Sequence, residues 1–206
     1  MAAPGSTSPI RAAAFDKLQL NAGIFIANFD YSSVANSGAL KTAVASAITA
    51  GTNILGVTRG GGTFTVQKNI RTPEVDGMRY PFKGADFVDS IEAYLSGTLL
   101  EVTPDNVKRI LGSATKTVSS KKTTITMQTN PSAGDYLTSL CWIGDLADGQ
   151  MVLIKLANAI NTADFSFTFT DKGEGTMAFE FHARQAAVND YDNAPFEVVF
   201  FDNATT

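Results

Sequence analysis

The 206-residue sequence predicts a mainly β fold, two packed antiparallel sheets in a β-sandwich or barrel-like arrangement, with one short flanking α-helix near 104–111 and a second candidate helix near 39–49. Three observations carry that expectation. The chain holds 14 Phe and is rich in Thr and Val, residue types that suit a pleated, half-buried surface. Apolar and polar residues alternate strictly in Phe165, Phe167, Phe169 against Ser166, Thr168, Thr170, and again in Met177, Phe179, Phe181, Ala183 against Ala178, Glu180, His182, Arg184. Turn chemistry, such as Asn130-Pro131-Ser132-Ala133-Gly134-Asp135, separates the apolar runs. With 44% hydrophobic residues a real core can form, and the length suits a single domain over 14–206 behind a flexible N-terminal arm over 1–13. That arm is small, polar and proline-containing, and is expected to order only against a neighbour.

Taken in order, Phe15 to Phe29 reads as the first strand, with Leu18, Leu20, Ala22, Ile24 and Ile26 on one side and Phe25 and Phe29 on the other, so that both faces are covered. Residues 31–53 form a long connection, in which Leu40, Val44 and Ile48 recur every four residues and line one side of the second candidate helix. Ile54 to Val57 and Thr63 to Gln67 are β-type runs on either side of Arg59-Gly60-Gly61-Gly62, and the glycine cluster reads as the turn of a hairpin. Over 69–83 the alternation stops, and Pro73, Asp76-Gly77 and Pro81 sit among charged residues. Loops of that length without structure of their own are uncommon in compact domains unless they are functional or disordered. Arg71, Glu74, Asp76, Arg79 and Lys83 are therefore the candidate partner-contacting residues.

Val88 to Val102 is strand material, with Ile91, Ala93 and Leu95 on one face and Gly97 as a bulge or crossing point. The helix that follows has its ends written in the sequence. Thr103 is a good N-cap, Pro104 needs no donor at the first helical position, Asp105 favours the positive end of the dipole, and Gly112 supplies the left-handed stop. Val107, Ile110 and Leu111 share a face, and a helix of about two turns must pack that face on a sheet to persist. Ser113 to Lys122 reads as a linker. Strands are expected at Thr123 to Thr129, Tyr136 to Ile143, Gln150 to Ala159, Phe165 to Thr170, Met177 to Ala183 and Phe196 to Phe201.

Catalytic chemistry finds little to hold. The only histidine, His182, falls on the polar side of a strand beside Glu180 and Arg184, where it reads as a solvated or interface residue rather than a base. Gly60-Gly61-Gly62 lacks the Gly-Lys-Ser/Thr and the helix of a phosphate loop. Asp86, Asp89 and Glu92 have no evident substrate pocket. Cys141, between Leu140 and Trp142, reads as a small core residue, and one Cys with one His leaves no zinc cluster. No cofactor is implied. The charge of -4 and pI near 4.9 argue against gripping nucleic acid through a basic surface. The single Cys points to synthesis in a reducing cytoplasm. The first residues show neither the basic start nor the apolar stretch of a secretory signal, and no apolar run of about 20 residues implies a membrane span.

Six segments, in this order, carry a family resemblance: LQLNAGIFIANFD (18–30), ILGVTRGGGTFTV (54–66), SIEAYLSGTLLEVTPDNVKRILGSA (90–114), CWIGDLADGQMVLIKLANAINTADFSFTF (141–169), KGEGTMAFEFHAR (172–184) and APFEVVFFD (194–202). Together they resemble the major tail proteins, or tail tube proteins, of long-tailed bacteriophages of the siphophage type. The specificity lies in the succession of segments rather than in any one of them, and 32–52 is longer than the corresponding connection of the family. The resemblance implies a non-enzymatic virion protein with a tail tube fold, made in the host bacterial cytoplasm and assembled as hexameric rings stacked into a tube. Inner-sheet strands of six copies would join around a lumen through which phage DNA passes without sequence-specific binding. It also implies a tape measure protein, a tail terminator and tail tip proteins as partners, and no membrane. On this reading 69–83 is a ring-stacking loop. A tube protein of a contractile tail or secretion system is the nearest alternative, and a β-sandwich carbohydrate-binding module a more distant one.

Overall fold

A computed structural model of the chain describes residues 12–19, 21–51, 53–187 and 193–203; most of the arm expected over 1–13 lies outside them. In chain order the elements are β1 (Ile24–Ala27), α1 (Ser37–Ala50), β2 (Thr58–Arg71), β3 (Phe87–Leu99), α2 (Pro104–Leu111), β4 (Ala114–Ser119), β5 (Lys122–Met127), β6 (Leu137–Asp145), β7 (Met151–Asn161), β8 (Phe167–Thr168), β9 (Thr176–His182) and β10 (Phe196–Phe201). The protein is mainly β and all its strand pairings are antiparallel, as expected. β4 and β5 form a two-stranded sheet. The other eight strands form a sheet in the order β1-β6-β7-β9-β3-β2, with β10 also on β7 and β8 on β9.

That larger sheet folds over on itself. β1 and β2 stand at opposite ends of the order, yet the Phe25 ring of β1 lies so close to Gly62 of β2 that a Cβ there would sit 2.4 Å from it. The bend lies in β7, whose first half pairs with β10 and whose last residues, Ile160 and Asn161, pair with β9. One layer is therefore β1, β6, β7 and β10, and the other β2, β3 and β9. Between them lies the main core, with Phe25, Leu95, Leu140, Leu156, Phe179 and Phe181 all buried. The chain also closes one edge in a barrel-like way. Leu55 N–H donates to Phe25 O at 3.0 Å and Ala27 N–H to Asn53 O at 2.7 Å just before β2 begins.

The helices cap this sandwich at two places. α1 lies on the outer side of the first layer, where Leu40 and Val44 meet Ile26, Cys141, Leu153 and Phe201. This is the helix expected from the four-residue spacing. Its boundaries are set by Asn36, whose side chain accepts from Ala39 N–H at 2.9 Å, and by Gly51 in the left-handed region. α2 closes one end of the main core through Ile110 and Val107. Its buried Asn106 donates to Leu55 O at 2.7 Å, and buried Asn161 donates to Ile110 O at 2.7 Å, so the polar groups at that end are satisfied. Cys141 is fully buried, and burial pushes its thiol up to about 12.

Several expectations are corrected. The glycine cluster at 59–62 is not a turn: β2 runs through it, and Gly60 and Gly61, both with positive φ, form a bulge against β3. The true hairpin joins β2 to β3 through residues 72–86, so the loop begins three residues later than the sequence suggests. The first strand shrinks from Phe15–Phe29 to β1. A 3-10 turn, Ala12–Lys17, precedes it, Lys17 pairs with Asp148, Ala147 N–H binds Leu18 O, and Gly23 with φ 69 breaks the extended run. Residues 113–122 are not a linker; they supply β4 and its turn into β5, with Ser120 at positive φ. Of the Phe165 to Thr170 alternation only two residues form a strand, and Phe169 is 79% exposed.

Within the second layer Gly97 of β3 faces Phe179 of β9, and an added Cβ there would lie 2.8 Å from the Phe179 ring and 3.1 Å from Gly61 O. Gly97→Ala is expected to lower stability by about 1–3 kcal/mol through overpacking, measured by urea unfolding with Trp142 fluorescence as the probe. A second prediction concerns acid. The Tyr31 hydroxyl and, at 3.2 Å, Lys155 both donate to Glu197, and the Tyr31 bond first, then Lys155, hold that carboxyl below its usual range. A depressed carboxylate contributes stability above its unfolded pKa, and loses it as pH falls through the folded value. Unfolding midpoints are therefore expected to drop below about pH 4.3, and to drop less steeply in Glu197→Gln.

Candidate functional site

The most distinctive feature of the molecule is the far half of the β2–β3 hairpin, which outruns the layer beneath it. Residues that face each other across the pair point to the same side. Phe64 with Leu95 and Val66 with Ala93 therefore face the core, and Lys68 with Ile91 and Ile70 with Val88 continue that face past a bulge at Asp89. Among the described residues this continuation is only partly covered. Ala93 is buried as expected, whereas Ile91, Val88 and Ile70 are each about half exposed. The hairpin thus forms an arm with an apolar underside.

The loop at the tip of the arm, 72–86, holds itself together locally. Thr72 Oγ1 donates to Asp86 at 2.5 Å, Met78 N–H to Val75 O at 3.0 Å and Ala85 N–H to Phe82 O at 3.1 Å. Of the charged residues singled out in the sequence, Arg71 ends β2 and pairs with Asp89 at 3.2 Å across the arm. Glu74, Asp76, Arg79 and Lys83 lie on the loop, exposed, and have no ion pair among the described residues. The sequence reading saw these charges and missed the apolar component. Val75, Phe82 and Phe87 are all more than half exposed, and Tyr80 is 83% exposed. The signal was present, because three large apolar side chains within a polar loop need either a core or a partner.

The outer face of β2, β3 and β9 has a different character. Thr63, Thr65 and Gln67 from β2, Glu92, Tyr94, Ser96 and Thr98 from β3, and Ala178, Glu180 and His182 from β9 point away from the core. Across these residues there are two carboxylates, one imidazole and no Lys or Arg. His182 takes the polar side of its strand, as its alternation required, but its side chain is only 12% exposed. Its ring stacks on Tyr94 at 4.8 Å, its Nε2 lies 2.9 Å from Glu180 Oε1, and its Nδ1 lies 3.9 Å from Glu92 Oε2.

The other singled-out residues are structural in their contacts. Thr103 Oγ1 accepts from Asn106 N–H at 3.2 Å, Pro104 opens α2, and Gly112 N–H returns to Arg109 O at 3.2 Å. Gly112 has a positive φ, and a Cβ there would strike Asn161 O at 2.5 Å, so two constraints meet at that residue. Asp86, Asp89 and Glu92 do not converge. Asp86 lies just before β3, and the three bind Thr72, Arg71 and His182 respectively. Among the described residues no three His, Cys, Asp or Glu side chains are grouped as metal ligands, and no helix is long and apolar enough to cross a membrane. The chain matches no protein-family model and no curated protein.

Proposed function

We infer that this protein is a structural subunit of a bacteriophage tail tube, assembling as hexameric rings that stack into the conduit for DNA ejection. The observation that carries the reading is the arm. A hairpin with Ile70, Val88 and Ile91 bare on one side and Val75, Tyr80 and Phe82 bare at its tip is built to be covered by other protein. The open edge of β2 supports it too, because a 14-residue edge strand presents a row of unpaired backbone groups that a neighbouring copy in a ring would satisfy. A third support is electrostatic. The middle of the outer face of β2, β3 and β9, from Thr63 to Gln67 and their neighbours, is polar and without Lys or Arg before Arg71 ends β2, which suits a wall along which phosphates pass without the counterion release that makes nucleic acid stick. The resemblance of the ordered segments supplies the hexamer, the tape measure protein, the terminator and the tip complex. Localisation in the virion follows from the same reading.

Electron microscopy of the purified protein over a concentration series, alone and with tape measure and tip proteins, tests it. Rings or hollow tubes are expected. Protein that stays monomeric at high concentration with those partners supplied would overturn the reading. In the same assay Tyr80→Ser with Phe82→Ser is expected to leave the fold intact, since both side chains are exposed, and to reduce the number of stacked rings severalfold.

A further inference from the structure

The sandwich is offset, and its two layers leave two separate apolar faces about half exposed. The first is the underside of the arm, formed by Ile70, Val88 and Ile91. The second is a ledge on the opposite layer. β2 is the last strand of its layer and reaches only as far as Phe196, whose ring lies 5.7 Å from that of Phe64. Beyond Phe196, the core-facing side of β10 continues as Val198, opposite Ile154, and Phe200, opposite Val152. Val198 is 44% exposed and Phe200 64%. A recess of about 260 Å³ between Phe64, Leu95, Trp142, Val152 and Ile154 opens beside them.

We propose that the arm of one copy lies on the ledge of the next, underside down, as a head-to-tail contact between two copies of this chain. The argument rests on self-complementarity. The underside continues the Phe64 and Val66 face, and the ledge continues the Phe196 and Leu156 face. These are the two faces that already pack on each other within the chain. A second copy therefore extends a packing mode that the sequence already specifies. Shape agrees, because the arm overhangs a groove of about 710 Å³ walled in part by Val88, Ile91, Ala183, Ala194 and Pro195, with room for the Phe200 side chain of the neighbour. Charge agrees as well. Lys68 on the underside and Arg184 beside the groove have no ion pair among the described residues, and neither does Asp202, which follows Phe201 at the end of the ledge. Because the two faces differ, the contact is heterologous and propagates into a ring or a helix rather than stopping at a two-fold dimer. The inference rests on the tail-tube reading only in taking the partner to be another copy.

Cysteine pairing tests the contact. Ile91→Cys and Val198→Cys alter exposed positions, and the native Cys141 is fully buried, so wild type serves as the unreactive control. Treated with a bis-maleimide, an equal mixture of the two variants is expected to give a covalent dimer, each variant alone none, and the double variant a ladder of higher multimers. Dimers from either variant alone would replace the head-to-tail contact with a two-fold one and overturn the proposal. Rings or tubes under the microscope without a mixed dimer would overturn it while leaving the tail-tube reading intact. Failure of every cross-link together with failure to assemble beside the tape measure and tip proteins would overturn both. Phe200→Asp, at an exposed position, is expected to weaken the mixed cross-link at least tenfold while leaving the unfolding curve close to that of wild type.

Discussion

Gly62 and Gly97 stand opposite each other in β2 and β3, and two phenylalanine rings occupy the space that their side chains would fill. Phe25 comes from the far end of the sheet and Phe179 from β9, and they meet edge to face at 5.3 Å. The contact joins the two layers, with the geometry that aromatic pairs favour. The rest of the fold follows from it. It fixes where β1 lies over β3, which places Ile26 and Cys141 on the opposite face for α1 to cover. It also depends on the bulge at Gly60 and Gly61, which sets the phase of β2. A slip of one residue would turn Phe64 and Val66 outward and bring Thr63 and Thr65 into the core.

The same registration determines what the sandwich cannot cover. Once Phe25 is locked over Gly62, β2 and β3 run on past the edge of the other layer, and β10 runs out from under β2. Burying a Val, Ile or Phe side chain is worth roughly 1.5–3 kcal/mol, so leaving Ile70, Val88, Ile91 and Phe200 bare forgoes a substantial part of the stabilisation available to the free subunit. A chain that gains this only on association couples its own stability to assembly, and mass action then favours the assembled form. That coupling fits a subunit made as a monomer and used as a polymer. Under the proposed assembly the arm would also account for a loop as long as 72–86, since Val75, Tyr80 and Phe82 at its tip would contribute to the same contacts.

What could be read from the sequence was what local chemistry decides. α2 was legible residue by residue because Thr103, Pro104, Asp105 and Gly112 act within one or two turns of themselves. α1 was legible because Leu40 and Val44 fall on one stripe, although Ile48, read onto the same side, is half exposed near the end of the helix and the cap at Asn36 was not recognised. The glycine cluster was misread because a turn and a bulge draw on the same backbone freedom, and only the partner strand tells them apart. β4 was missed for the opposite reason: Thr, Lys and Ser give no apolar alternation, and its turn uses Ser120 where a glycine would have announced it. The arm lies between these cases. Ile91 was correctly assigned to the face of Ala93 and Leu95, but whether that face is covered depends on how far another layer extends, a tertiary fact that periodicity does not carry.

The hairpin that bears the arm has two faces of opposite character, and under the proposed tail-tube reading their separation would suit a conduit. Hydroxyl and carboxylate side chains, Thr63, Thr65, Ser96, Thr98, Glu92 and Glu180, lie on the outer face of the layer to which β2 and β3 belong, while apolar residues and Lys68 lie on the underside. Net charge alone would not distinguish these tasks, because -4 spread over the whole surface is compatible with many partners. Its distribution does distinguish them. A wall that must let DNA pass needs hydration and the absence of cations at phosphate height, whereas a subunit contact needs dry apolar area and a few complementary charges at its rim. Because side chains alternate along a strand, one pair of strands can supply both surfaces back to back, and the period of two that makes β2 and β3 strands is also what would set the lumen apart from the interface.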